Sequence, residues 1–347
     1  MLKMNSQDKT NHTLLLAILW LGLLASCTTQ GRSTPITQPV QTQADTATAL
    51  PATLTPAPST TPTLAPSLTP APSATPFAPV SETSLVIKSR FMNGLERVMS
   101  VYLPGDYARF PEKRYRVLYA FDAQQLPEIA FEQYMNSLYM ARRIEPVIVV
   151  AIRSLDGDLR KEELGTGPYL NVFGWGTLSD VFNKFMINEL LPKVQETYRT
   201  LTGPQNTAVM GWSLGGLSAI YLGWQYPDRF GIVGAFSPSL WWRAESKPGE
   251  ELHARIIHRI VRESVRRPGL RMWFEAGTAE EPKTDMDMNG TPDVIQDVQD
   301  LMKELEKKGY QRDADMVFLK VEGGQHAITT WARVLPDFLQ WAFPPQS

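Results

Sequence analysis

Along the C-terminal part of the chain, short unbroken apolar runs alternate with longer stretches whose apolar residues recur every third or fourth position. The runs YRVLYAF (115–121) and VIVVAI (147–152) show no alternation of sides, which is the pattern of strands buried on both faces. Residues 207–210, 231–236, 271–275 and 316–321 predict further strands of this kind. Residues 85–87 and 98–103, separated by a segment containing Asn93-Gly94, predict an antiparallel hairpin at the entry. Helical spacing covers 178–198, with Phe182, Phe185, Met186 and Leu190 on one stripe, and runs from 215 to Pro227 through Leu217, Ile220, Tyr221 and Trp224. Further helices are predicted at 250–265, 292–308 and 329–343, the last kinked at Pro336, which lacks an N–H and crowds the preceding turn. Strands alternating with helices imply an α/β fold: a mostly parallel central sheet covered on both faces, with ligands outside the carboxyl ends of its strands.

The pattern is absent from the N-terminal part. Residues 28–80 are dominated by Thr, Pro, Ala, Ser and Gln, and LTPAPS occurs at 54–59 and again at 68–73. Without large apolar side chains such a segment does not offset its ordering entropy, so it reads as a tether. Ahead of it, residues 1–27 place Lys3 and Lys9 before an apolar stretch at 14–24, followed by Leu24-Ala25-Ser26-Cys27. This has the layout of an export signal and resembles the lipobox of bacterial lipoproteins, which implies that Cys27 carries lipid. The apolar stretch is shorter than the roughly 20 residues of a membrane span. An exported protein, lipid-anchored to the cell envelope and partnered by the membrane through that lipid, is the expectation. Cys27 is the only cysteine, so no internal disulfide forms and the folded part, 81–347, depends on its core. The net charge of −2, with both signs interspersed, gives no footprint for nucleic acid. No H-E-x-x-H motif or Cys/His cluster points to zinc.

Where the strand at 207–210 meets the next helix, the chain reads Gly211-Trp212-Ser213-Leu214-Gly215. A serine between small residues on a sharp strand-to-helix turn is the arrangement of a nucleophile elbow. A serine hydroxyl is a weak nucleophile and needs an imidazole, itself oriented by a carboxylate. His326, beyond the last predicted strand in the glycine-rich segment Glu322-Gly323-Gly324-Gln325, follows the chain order Ser, acid, His. His253 and His258 sit in a helical pattern beside Arg and Glu and read as surface residues. The loop after 271–275 offers Glu280, Glu281 and Asp285; Glu280 is selected because the acid must lie near the strand end to reach an imidazole. For the oxyanion hole the Leu214 amide follows the nucleophile, and the loop after 115–121 supplies Gln124 as the second amide.

Other features leave alternatives open. Trp212, Trp241 and Trp242 either form an apolar pocket for the substrate or pack between helix and sheet. Arg160, with Glu163 nearby, either anchors a substrate carboxylate or joins a surface ion pair. Asp285, Asp287, Asn289 and Asp293 follow the start of a calcium loop, with Gln296 where glutamate is usual; a structural calcium or a polar helix-capping turn is expected.

The segments VYLPGDY (101–107), YRVLYAFDAQQL (115–126), GWSLGG (211–216), YPDRFGIVGAFSPSLWW (226–242) and EGGQHAITTW (322–331) carry a wider resemblance, as does FMINELLPKVQETYRT (185–200). Across nearly all of residues 85–343 the chain resembles the putative esterase family of α/β-hydrolases, which includes siderophore, feruloyl and acetyl xylan esterases. The resemblance implies an α/β-hydrolase fold. It also implies a serine carboxylic-ester hydrolase working through an acyl-enzyme on a small-molecule or glycan ester, with no cofactor required. SPSLWW is most similar to the siderophore-esterase branch. Ala123 stands where the family often has glycine, which implies a narrower oxyanion loop. A non-catalytic ligand-binding protein on the same scaffold and an acyltransferase are the alternatives.

Overall fold

The computed structural model describes residues 78–244, 253–281 and 284–345. The expected signal, the Cys27 lipobox and the tether up to residue 77 lie outside the described residues. All the described residues belong to one compact unit.

An entry hairpin pairs β1 (Ser81–Lys88) with β2 (Glu96–Leu103), Lys88 opposite Glu96, and Asn93 and Gly94 take left-handed conformations in the turn. After it come β3 (Arg116–Phe121), α1 (Phe131–Met140), β4 (Val147–Ile152), α2 (Leu159–Glu163), α3 (Ser179–Phe185), α4 (Leu191–Thr197), β5 (Thr207–Trp212) and α5 (Leu214–Gln225). The chain closes with β6 (Ile232–Phe236), α6 (Ile256–Glu263), β7 (Arg271–Gly277), α7 (Asp293–Lys307), β8 (Met316–Val321) and α8 (Ile328–Ala342). The strands form one sheet in the order β1-β2-β4-β3-β5-β6-β7-β8, antiparallel as far as β4 and parallel from β4 onward. Successive residues along each strand point to opposite faces of the sheet, and each face has its own core. One takes Phe182, Leu217, Ile257 and Leu301 from α3, α5, α6 and α7; the other takes Met135 from α1 and Phe338 from α8.

Three helical expectations change in detail. The predicted helix 178–198 is interrupted by a π turn at Met186–Leu190; Pro192, at the start of α4, has no N–H to give the Asn188 carbonyl. The helix predicted over 250–265 begins only at Ile256, because Arg255 is held extended in a bridge with Arg243, and ends at Glu263. α8 continues through Pro336 because the carbonyl that proline leaves without a donor, that of Ala332, accepts the Tyr134 hydroxyl at 2.5 Å. The reading missed α1, whose buried stripe is Phe131, Met135 and Leu138. No helix among the described residues is long and apolar enough to cross a membrane.

Candidate active site

β5 runs to Trp212, and α5 starts at Leu214, so Ser213 alone makes the turn. Its backbone sits at φ 57°, ψ −123°, a conformation a β-substituted residue adopts only when its surroundings impose it. Tertiary bonds impose it here: the Ser213 N–H donates to Phe236 O at 2.9 Å, and Ser213 O accepts from Ser239 N at 3.1 Å. Close packing under the turn requires Gly211, since a Cβ there would stand 2.5 Å from the Gly215 carbonyl carbon. The Ser213 hydroxyl has Ser239 Oγ 3.4 Å away.

Across the pocket, the loops after β7 and β8 meet through backbone. β7 continues past Glu275 to Gly277, and a side chain on Gly277 would overlap the Gly324 carbonyl. Ala279 N donates to Gly324 O at 2.8 Å, and Thr278 N donates to Val321 O at 3.0 Å. The joined loops hold Glu280 and His326 in register: Glu280 Oε2 lies 2.8 Å from His326 Nδ1. Glu280 Oε1 accepts the Gly277 N–H at 2.8 Å and the Ser237 hydroxyl at 2.5 Å. The His326 ring meets the Trp331 ring edge to face, centroids 5.1 Å apart at 85°. With Nδ1 engaged, Nε2 is the ring nitrogen left to exchange a proton. Ser213 and His326 line the same pocket but are not hydrogen-bonded; such bonds tighten when substrate is bound.

The two amides expected to bind an oxyanion both lie at helix starts, where the first N–H groups have no intrahelical acceptor. Leu214 opens α5, and Gln124 is the second residue of the 3₁₀ turn Ala123–Ile129. Asp122 is the left-handed residue of that loop, at φ 55°, and Ala123 is not among the positive-φ residues, so its methyl brings no backbone strain. Arg160 grips Asp122 with two parallel bonds, Nε to Oδ1 at 2.8 Å and Nη2 to Oδ2 at 2.6 Å. The Gln124 side chain is tied to Ser154, accepting its N–H at 3.2 Å and donating to its hydroxyl at 3.1 Å.

Ser213, Glu280 and His326 face a pocket of about 610 Å³ whose walls include Phe173, Trp241, Met286, Arg160 and Arg243. Its lining thus combines apolar area with cationic groups, and the Arg243 Nε finds no hydrogen-bond acceptor. That composition suits an amphipathic small molecule.

The family model described as Putative esterase matches residues 89–342. The chain belongs to this family. An iron(III) enterobactin esterase from Escherichia coli O6:H1 is 30% identical over 198 residues, covering 56% of this chain and 44% of that protein. An uncharacterised Bacillus subtilis protein is 23% identical over 257 residues, covering 71% of this chain and 92% of its own length. The chain therefore spans less than half the length of the enterobactin esterase it matches. Among solved structures, the Shigella flexneri enterobactin esterase in the presence of enterobactin superposes with a TM-score of 0.61 at 24% identity, covering 77% of this chain and 60% of that one. A ferulic acid esterase from Anaeromyces mucronatus, in complex with ferulic acid, gives 0.52 at 20% identity, covering 78% and 93%. The fold is the α/β-hydrolase fold, with its N-terminal antiparallel hairpin.

Within this esterase-family site several sequence expectations need correction. Trp212 and Trp242 do not line the pocket: they are 2% and 0% exposed, whereas Trp241 is 39% exposed and does line it. Trp212 points to the opposite side of β5 from the elbow and stacks on Trp331, centroids 5.6 Å apart at 10°. Arg160 does line the pocket, but its guanidinium is committed to Asp122; Glu163 is fully buried, pairs with Arg97 and accepts the Leu155 N–H at 2.8 Å. His258 is 1% exposed, not a surface residue. Its Nε2 lies 2.9 Å from Asp297 O, and burial, with Arg255 beside it, pushes its pKa down to about 3.

The turn left open between a calcium loop and a helix cap holds its carboxylates in hydrogen bonds of its own. Asp285 accepts from the N–H groups of Asn289 at 3.0 Å and Gly290 at 2.8 Å, Asp287 accepts from Gln296 Nε2 at 2.7 Å, and Asp293 accepts from Met286 N at 3.0 Å. Among the described residues no three His, Cys, Asp or Glu side chains converge as a metal cluster.

Residues the sequence reading missed are Asp122, Ser237, Glu275, Arg243 and Phe173. Glu275 alone carried a readable signal, a carboxylate directly after the apolar run Met272-Trp273-Phe274.

Proposed function

We propose that the protein is a serine carboxylic-ester hydrolase acting on a small-molecule ester through an acyl-enzyme. The observation that carries this reading is the strained Ser213 turn facing the same pocket as the hydrogen-bonded Glu280 and His326. In this mechanism His326 Nε2 takes the Ser213 proton as Oγ bonds to the ester carbonyl carbon, and Glu280 holds the resulting imidazolium. The Leu214 and Gln124 amides receive the negative oxygen. Collapse breaks the bond to the alkoxy oxygen, which leaves with the proton from His326. Water, deprotonated by the same imidazole, then attacks the acyl-serine and releases the acid. No redox step or cofactor enters. The names of the relatives make enterobactin and esters of ferulic acid the first substrates to try. In the cell, we place the enzyme outside the cytoplasm, held to the envelope through lipid on Cys27.

The test uses the full chain with p-nitrophenyl esters of increasing acyl size, comparing wild type with Ser213→Ala. Hydrolysis lost in the variant supports the reading, as does a stoichiometric burst of p-nitrophenol before steady state. A folded wild type that binds aryl esters without turning them over overturns it in favour of a binding protein.

A further inference from the structure

Behind Glu280 lies a second carboxyl group that the mechanism above does not use. Glu275, near the end of β7, is fully buried and sits between Phe236 of β6 and Leu319 of β8 in the sheet. Its backbone carbonyl accepts the Ser237 N–H at 2.8 Å, which places the Ser237 side chain directly over it. Glu275 Oε2 lies 3.3 Å from Ser237 Oγ, and Oε1 has no hydrogen-bond partner.

Ser237 Oγ is therefore shared by three groups. The indole N–H of Trp331, from α8, donates to it at 2.8 Å, and the hydroxyl donates to Glu280 Oε1 at 2.5 Å. A hydroxyl carries one proton and two lone pairs. The proton goes to the shorter contact, Glu280; one lone pair takes the indole N–H, and the other faces Glu275. An ionised Glu275 would leave two carboxylates contending for one proton, with one oxygen buried as an unpaired charge. A neutral Glu275 fills the remaining lone pair with its own O–H, and every contact of the hydroxyl is satisfied.

We propose, on the basis of the esterase reading, that Glu275 is held as the neutral acid and donates its O–H as a hydrogen bond to Ser237 Oγ. It is thereby a positioning residue that commits the Ser237 hydroxyl to Glu280 and fixes the carboxylate under His326. The charged groups facing Glu275 agree with this. Burial raises its pKa most, Glu280 on the following loop raises it further, and the Ser237 contacts together with Arg333 of α8 pull it back only to about 8. β8 contributes Leu319 as the neighbour in the sheet, which carries no charge. As pH rises through that value, Glu275 ionises and draws the Ser237 proton away, leaving Glu280 Oε1 with the Gly277 N–H alone.

Two readouts on the full chain test this, one independent of turnover. Infrared difference spectra of wild type against Glu275→Gln should contain the carbonyl stretch of a neutral carboxylic acid at about pH 6, disappearing as pH passes about 8. In kinetics each protein is compared with itself: the wild-type kcat should fall about fivefold or more between about pH 7 and about pH 9.5, and that of Glu275→Gln by less than about twofold. Ser237→Ala should lower kcat about tenfold with KM little changed and lose the same alkaline limb. Buried Asp297 and Glu163, whose pKa values burial also raises, contribute to both proteins and cancel. A difference spectrum of wild type against Glu275→Gln that lacks this band overturns the proposal. So does an alkaline limb identical in wild type and Glu275→Gln. A wild type with the band but no hydrolysis refutes the esterase reading instead, and with it the positioning role but not the protonation.

Discussion

Arg160 and Asp122 meet through two parallel hydrogen bonds at the residue that turns the chain out of β3 in a left-handed conformation. Asp122 is buried while Arg160 is partly open to the pocket, so the guanidinium neutralises a charge that solvent does not reach. Arg160→Ala is expected to lower stability by about 1–3 kcal/mol, the cost of breaking a buried pair discounted for the open side of the arginine. It is also expected to lower kcat about tenfold by releasing the loop that carries the Gln124 amide. Urea denaturation and steady-state kinetics together decide it. A raised KM with unchanged stability and kcat would make Arg160 a substrate anchor.

Glu280→Gln keeps the size of the side chain but removes the charge that orients His326. A fall in kcat on the order of 10³-fold is expected, with Asp285→Asn within about twofold of wild type. Ester hydrolysis by both variants checks this. A small loss in the first and a large one in the second would move the acid to the neighbouring turn.

Glu275 links stability to pH. Its folded-state pKa of about 8 exceeds the ordinary carboxylate value of 4.5, so between these values the folded protein binds more protons than the unfolded chain. This contribution to stability is full below the ordinary value and is lost as pH rises through the folded one. Glu275→Gln has no proton to lose and should gain on wild type by a few kcal/mol, in order of magnitude, between about pH 5 and about pH 8.5. Denaturant midpoints at the two pH values measure it; an equal pH response in both proteins would contradict it.

The tryptophans should separate cleanly. Trp212→Ala removes a buried ring stacked on Trp331 and should cost about 3–5 kcal/mol. Trp241→Ala should change stability by less than about 1 kcal/mol and act on KM for aryl esters instead. Thermal melts and KM series compare the two, and a KM effect confined to Trp212→Ala would reverse the assignment.

For the turn at Asp285 to Asp293, calcium has to displace backbone amides already bound to the carboxylates. Calorimetric titration with calcium should give only the heat of dilution. Saturable heat that is lost in Asp287→Asn would restore the metal reading.

Much of this arrangement was legible in the chain because the sheet is buried on both faces: VIVVAI has no second face to present to water, so periodicity had nothing to obscure. Glu280 was selected on reach alone, and among the candidate acids it is the one bonded to His326. α1 escaped because Glu132, Gln133 and Asn136 dilute a three-residue apolar stripe, and because it begins at a left-handed Ala130 rather than at a capping residue. Trp212 was readable after all, since adjacent residues on a strand face opposite sides and Ser213 claims the other one. Ser237 was not, because its role depends on Trp331 and Glu275, distant in sequence and adjacent only across the sheet.

The contact between Gly277 and Gly324 has a mechanical consequence. With backbone pressed on backbone, the loops bearing Glu280 and His326 are joined as one piece, and the end of β6 with the loop after it couples that piece to Ser213: Phe236 and Ser239 bond the Ser213 backbone while Ser237 bonds Glu280. The pairing of Glu280 with His326 thus rests on main-chain packing, which substitutions of the pocket's side chains leave untouched.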